Sequence, residues 1–135
     1  MLDVGTGTGI LSIAAAKLMP GSRIIAIDID PQAVNVACEN CAINGVSGQV
    51  ETVEGAPRGF LSTAFDLVVA NLTAEVIIDE LPVLAGCLAR SGTLLLSGIL
   101  NELAADVGRG VSASRLALTE SREKGEWTMI VAKHQ

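Results

Sequence analysis

Residues Asp3 to Gly9 read Asp-Val-Gly-Thr-Gly-Thr-Gly, an acid followed by glycines at three alternate positions. Such a turn carries the backbone through φ values that only glycine adopts cheaply, and it leaves no Cβ between main chain and ligand. The chemistry on offer is the close binding of a small molecule against Gly5, Thr6, Gly7 and Gly9. Asp3 either approaches an amino group of that molecule through water or ties down the turn. Asp28 stands nineteen residues after Gly9, where an acid accepts hydrogen bonds from two ribose hydroxyls. Ile29 follows it on the same ligand edge. Asp30 competes for the ribose role, but it directly precedes Pro31 and suits a helix cap. Glu54-Gly55-Ala56 offers either a flat slot for adenine or simply a tight loop. Asn71 ends an apolar run, where a polar side chain needs a partner. That partner is a ligand, with Asn71 as the candidate catalytic residue, or the helix that starts at Ala74.

The elements that must position these residues alternate almost from end to end. Strands are predicted at Met1–Val4, Arg23–Ile27, Gln49–Val53, Phe65–Ala70 and Thr93–Ser97. Helices are predicted at Gly9–Met19, Pro31–Ile43, Ala74–Ala89 with a kink at Pro82, and Asn101–Val111 interrupted by Gly108 and Gly110. Leu116–Ser121 and Trp127–Ala132 close the chain as a hairpin turning at Lys124-Gly125, and Ala56–Ala64 reads as turns without a helix. This order predicts an α/β fold, a Rossmann-like doubly wound sheet of about seven strands. It is mostly parallel, with an antiparallel C-terminal strand at its edge. Ligands in such sheets bind beyond the carboxyl ends of the strands, which is where the residues above fall.

Bulk properties narrow the chemistry. The 135 residues suit one domain, and 50% of them are hydrophobic without a run long enough for a membrane span. A net charge of −6 argues against direct nucleic-acid binding and tolerates a basic protein partner. No secretory leader is visible, and three cysteines, an odd number, fit a reducing, cytoplasmic setting. Cys38 and Cys41 form a C-x-x-C without a second ligand pair, so two packed thiols are expected rather than a metal site. The lone histidine, His134, leaves no Ser-His-Asp or Cys-His mechanism. A nicotinamide turn, G-x-G-x-x-G, would need glycine where Ile10 stands.

The D-x-G-x-G-x-G spacing instead resembles the first motif of the S-adenosylmethionine-dependent methyltransferases. Across its length the chain is similar to the PrmA family, which methylates a stalk-base protein of the large ribosomal subunit. The matching stretches are 2–17, Ala26-Ile-Asp-Ile-Asp-Pro-Gln-Ala-Val34, Phe65-Asp-Leu-Val-Val-Ala-Asn71, Leu96-Ser-Gly-Ile-Leu100 and Gly125-Glu-Trp127. The resemblance implies that Gly5, Asp28 and Asn71 contact S-adenosylmethionine, and that lysine or N-terminal amines accept the methyl group. It also implies that 1–135 is the methyltransferase domain alone, without the family's N-terminal recognition domain, linker and threonine-bearing segment. Asn71-Leu72-Thr73 departs from the family's usual Asn-Ile-Leu. Two alternatives stand beside this reading: a cofactor-binding module with little turnover, and a related methyltransferase with another acceptor. For the latter, amide and base methylases use Asn-Pro-Pro-Tyr, and one Trp, two Phe and no Tyr argue against stacked bases.

Overall fold

The computed structural model describes residues 1–135, which form two compact units, Met1–Gly59 and Phe60–Gln135. The first unit contains β1 (Leu2–Val4), α1 (Ile10–Leu18), β2 (Ile24–Asp28), α2 (Pro31–Ile43) and β3 (Val50–Glu54). Its strands are parallel in the order β3-β2-β1. The register pairs Val4 with Ile27 and Asp28 with Glu54, so the carboxyl ends of the strands come level. Ala15, Ala16, Ile24, Ala26, Cys41, Val46 and Val50 form its core, with Met1 and Ile13 packed against it. Small residues at 15 and 16 let α1 lie close on the strands. The start of α2 is as the sequence predicts: Asp30 accepts the Gln32 N–H at 2.9 Å, and Pro31 occupies the first turn. The C-x-x-C expectation holds only in part. Cys41 is buried but Cys38 is exposed, because residues three apart on this helix straddle the edge of its packed face.

The second unit contains β4 (Phe65–Asn71), α3 (Ala74–Cys87), β5 (Leu88–Leu100), α4 (Ala104–Ala113), β6 (Leu116–Lys124) and β7 (Trp127–His134). Its strand order is β4-β5-β7-β6. β4 and β5 are parallel, and β7 runs antiparallel to both β5 and β6. The one antiparallel strand is therefore as predicted, but its place is not. β7 lies inside, with Ile130 and Ala132 buried, and β6 takes the edge with mostly exposed residues.

Several boundaries also differ from prediction, most of all at β5, which runs from Leu88 to Leu100 where Thr93–Ser97 was expected. α3 passes through Pro82 but ends at Cys87, two residues early, and β5 starts at Leu88. There the Gly86 carbonyl, left without a helical partner, accepts the Ser62 N–H at 3.1 Å. α4 is uninterrupted at its glycines. A Cβ at Gly110 would stand 2.8 Å from Leu81 Cδ1, so this glycine permits the close approach of α3 and α4. Between Ala56 and Ala64 there is one 3-10 turn, Pro57–Phe60, in place of a full helix. No helix is long and apolar enough to cross a membrane.

Candidate functional site

In the first unit the chain leaves β1 and enters α1 through Gly5, Gly7 and Gly9, with φ of 71°, 56° and 81°. All three lie in the left-handed region, which accounts for the alternate glycines. The turn is fastened from beneath. The Gly5 and Thr6 N–H groups share the Ile27 carbonyl at 3.0 and 2.9 Å. Gly9 has a second duty, since a Cβ there would meet Ala37 Cβ at 3.2 Å where α1 begins beside α2. Asn40 of α2 donates from Nδ2 to the Thr8 carbonyl at 2.8 Å.

Asp3 and Thr6, both expected at the ligand, are at the turn but face inward. Asp3 is 1% exposed and its Oδ2 accepts the Thr6 hydroxyl at 2.8 Å and the Ser12 hydroxyl at 2.6 Å. Burial pushes the Asp3 carboxyl above the ordinary aspartate range, and the Ser12 and Thr6 hydroxyls, the Ser12 N–H and the charge of Asp28 act after it, the hydrogen bonds lowering and Asp28 raising. Asp3 therefore shapes the turn. It holds the Thr6 and Ser12 hydroxyls and the Ser12 N–H, and so ties down the turn, the second of the two roles the sequence offered.

Asp28 closes the turn from the side. Its Oδ2 accepts the Gly7 N–H and its Oδ1 the Asp30 N–H, each at 3.0 Å. A carboxylate offers about four acceptor positions, so two remain for a ligand's hydroxyls. The Gly55 N–H donates to the Asp28 carbonyl at 2.9 Å, which brings the end of β3 to the end of β2. Open space stands where a Cβ would be at Gly7 and at Gly55. Ile29 is 77% exposed and Ala56 is also exposed, so this rim has apolar surface facing outward.

In the second unit Asn71 ends β4, paired with Ser97, and is exposed. It does not cap α3. That position belongs to Thr73, which makes no side-chain cap bond. The Asn71 side-chain oxygen lies over Gly98, where a Cβ would be 2.7 Å away.

The family described as ribosomal protein L11 methyltransferase (PrmA) matches residues 1–135. The chain belongs to the PrmA family. It is 45% identical over 131 residues to the ribosomal protein L11 methyltransferase of Pelotomaculum thermopropionicum, covering 97% of this chain and 42% of that protein. It is 46% identical over 136 residues to that of Geobacter sulfurreducens, covering 100% of this chain and 44% of the relative. The chain thus spans less than half the length of these PrmA relatives. A crystal structure of the ribosomal protein L11 methylase of Lactobacillus delbrueckii subsp. bulgaricus superposes with a TM-score of 0.91 at 30% identity. That match covers 99% of this chain and 68% of the other, and bears out the Rossmann-like fold.

Three contributors escaped sequence reasoning. Ser12 and Asn40 fasten the turn; Ser12 is the polar exception among apolar neighbours on its helix, whereas Asn40 is one of several polar residues on α2 and carried no such signal. Gly98 sits within Leu96-Ser-Gly-Ile-Leu100, a PrmA motif that the sequence offered without a role. A glycine inside an apolar strand is a signal for close approach or a bulge.

Proposed function

We propose that this chain is the S-adenosylmethionine-dependent methyltransferase domain of a PrmA enzyme, acting in the cytoplasm on lysine or N-terminal amines of ribosomal protein L11. The observation that carries it is the turn itself: three left-handed glycines, open space in front of Gly7, and Asp28 with acceptor positions to spare. These features fit the cofactor. Asp28 takes the ribose hydroxyls, Gly5 and Gly7 give the bare main chain against which the donor lies, and Ile29, Gly55 and Ala56 border adenine. Held there, S-adenosylmethionine would supply a sulfonium methyl to a neutral amine, with S-adenosylhomocysteine as the neutral leaving group. The protein's work is alignment, which supplies up to about 7–11 kcal/mol in intramolecular analogues. The Asn71 carboxamide oxygen accepts an acceptor N–H and so aims the nitrogen lone pair. A lysine with an ordinary pKa near 10.4 must also shed a proton, which desolvation favours.

Calorimetry tests the first half of this reading. The chain is expected to bind S-adenosylmethionine or S-adenosylhomocysteine and to show no comparable heat with NAD. A preference for NAD overturns the assignment. The second half is tested by tritiated methyl transfer to L11. A protein–protein interface needs roughly 1,200 Å² or more, and the chain covers only 42% of one relative. The 135 residues alone are therefore expected to transfer slowly, at least about tenfold below the same chain joined to the N-terminal part of a relative. Equal rates would place recognition of L11 within residues 1–135.

A further inference from the structure

We propose that Gly98 is a positioning residue that sets the Asn71 side chain for the acceptor amine; this rests on the reading that Asn71 borders that amine. Gly98 has φ of 80°, and a Cβ built on it would stand 2.6 Å from the Leu72 carbonyl oxygen, 2.7 Å from Asn71 Oδ1 and 3.2 Å from Leu72 C. Two of these distances are shorter than any ordinary carbon–oxygen contact, so no other residue fits without moving the end of β4. The β5–β7 register shifts between Leu96 and Ile99, on either side of Gly98. The glycine thus sits in a bulge, a device that re-aims a side chain beside an active site. On the other side of β5 the Leu72 N–H donates to the Ser97 carbonyl at 3.2 Å, drawing the chain after Asn71 against this bulge.

No group of the protein hydrogen-bonds the Asn71 carboxamide, which is exposed. Its orientation is set by shape, through the room that Gly98 leaves. A methyl at position 98 evicts Oδ1 from that room and turns the acceptor oxygen away from the amine. The motif Leu96-Ser-Gly-Ile-Leu100 and the motif ending in Asn71 are then two halves of one device.

A double-mutant cycle on single-turnover transfer to L11 tests this. Gly98→Ala is expected to slow transfer at least about tenfold, as misplacement of an aligning group does. Cofactor affinity, read by calorimetry, is expected to stay within about threefold. On an Asn71→Ala background the same substitution is expected to cost less than it does in the wild type, the remaining loss coming from the Leu72 carbonyl oxygen 2.6 Å from the new Cβ. Gly98→Asn separates backbone strain from crowding, since asparagine tolerates positive φ but still carries a Cβ. It is expected to be as slow as Gly98→Ala. Equal losses on both backgrounds, or a wild-type rate in Gly98→Asn, overturn the proposal. Three-bond couplings in the unsubstituted chain give a readout that needs neither activity nor a folded variant. They are expected to report one χ1 rotamer for Asn71, and averaging over rotamers overturns the proposal. A chain that shows the single rotamer but transfers no methyl contradicts the functional reading and leaves the placement of Asn71 by Gly98 intact.

Discussion

Asp28→Ala is expected to weaken S-adenosylmethionine binding by about tenfold or more, since charge-assisted hydrogen bonds each contribute roughly 1.5–3 kcal/mol. Each Asp28 oxygen already holds a main-chain N–H, from Gly7 and from Asp30, at 3.0 Å. On the proposed reading the substitution therefore removes the ribose acceptor and frees the middle glycine of the turn together. Asp28→Asn is expected to do little better. Whichever way its amide is placed, an NH2 faces one of two N–H donors. Asp30→Ala is the control. Its carboxylate caps α2 through the Gln32 N–H at 2.9 Å, so it is expected to cost about 1 kcal/mol of stability. Affinity should stay within about threefold, because the bond to Asp28 comes from the Asp30 main chain. Calorimetry and denaturant titration on the two variants separate these effects. Loss of binding in Asp30→Ala with binding spared in Asp28→Ala would mean that the acids have been assigned in reverse.

The contrast between these two acids shows why part of the site was legible in the sequence. The role of Asp30 is local: Pro31 follows it, and an acid before proline at a helix start has a single efficient use. The position of Asp28 follows from the length of one β-α-β unit, which sets where the second strand must end. Strand-helix alternation is likewise local, and most elements fall within a few residues of prediction. What depended on contacts between distant segments was not readable. β7 inserts beside β5, burying the face that carries Thr128, Ile130 and Ala132, which hairpin grammar alone cannot show. The inward turn of Asp3 depends on Ser12, a full helical turn beyond the glycines. Gly98 needed Asn71, twenty-seven residues earlier, before its missing side chain acquired a reason.

The other large effect is expected at Asp3, and it is one of stability. Thr6 and Ser12 are 6% and 0% exposed, and both donate their hydroxyls to the same Asp3 oxygen. Asp3→Ala strands two buried donors, each costing roughly 1–3 kcal/mol. Relief of the buried charge offsets part of this, so the net loss is expected near ~3 kcal/mol. The charge has its own pH signature. Burial raises the Asp3 carboxyl above its ordinary value of 3.8. The folded chain then binds this proton more tightly than the unfolded chain does. Its contribution to stability is fully present below the ordinary value and is lost as pH rises through the raised one. Asp3→Asn keeps an acceptor for both hydroxyls without the charge, so it is expected to lose less than Asp3→Ala. Measured against wild type, the asparagine variant should improve as pH climbs from about 4 toward neutrality. Denaturant midpoints across that range provide the check. An alanine variant within about 1 kcal/mol of wild type would show that the hydroxyls find other acceptors. A flat difference between asparagine and aspartate would show that burial leaves this carboxyl unperturbed.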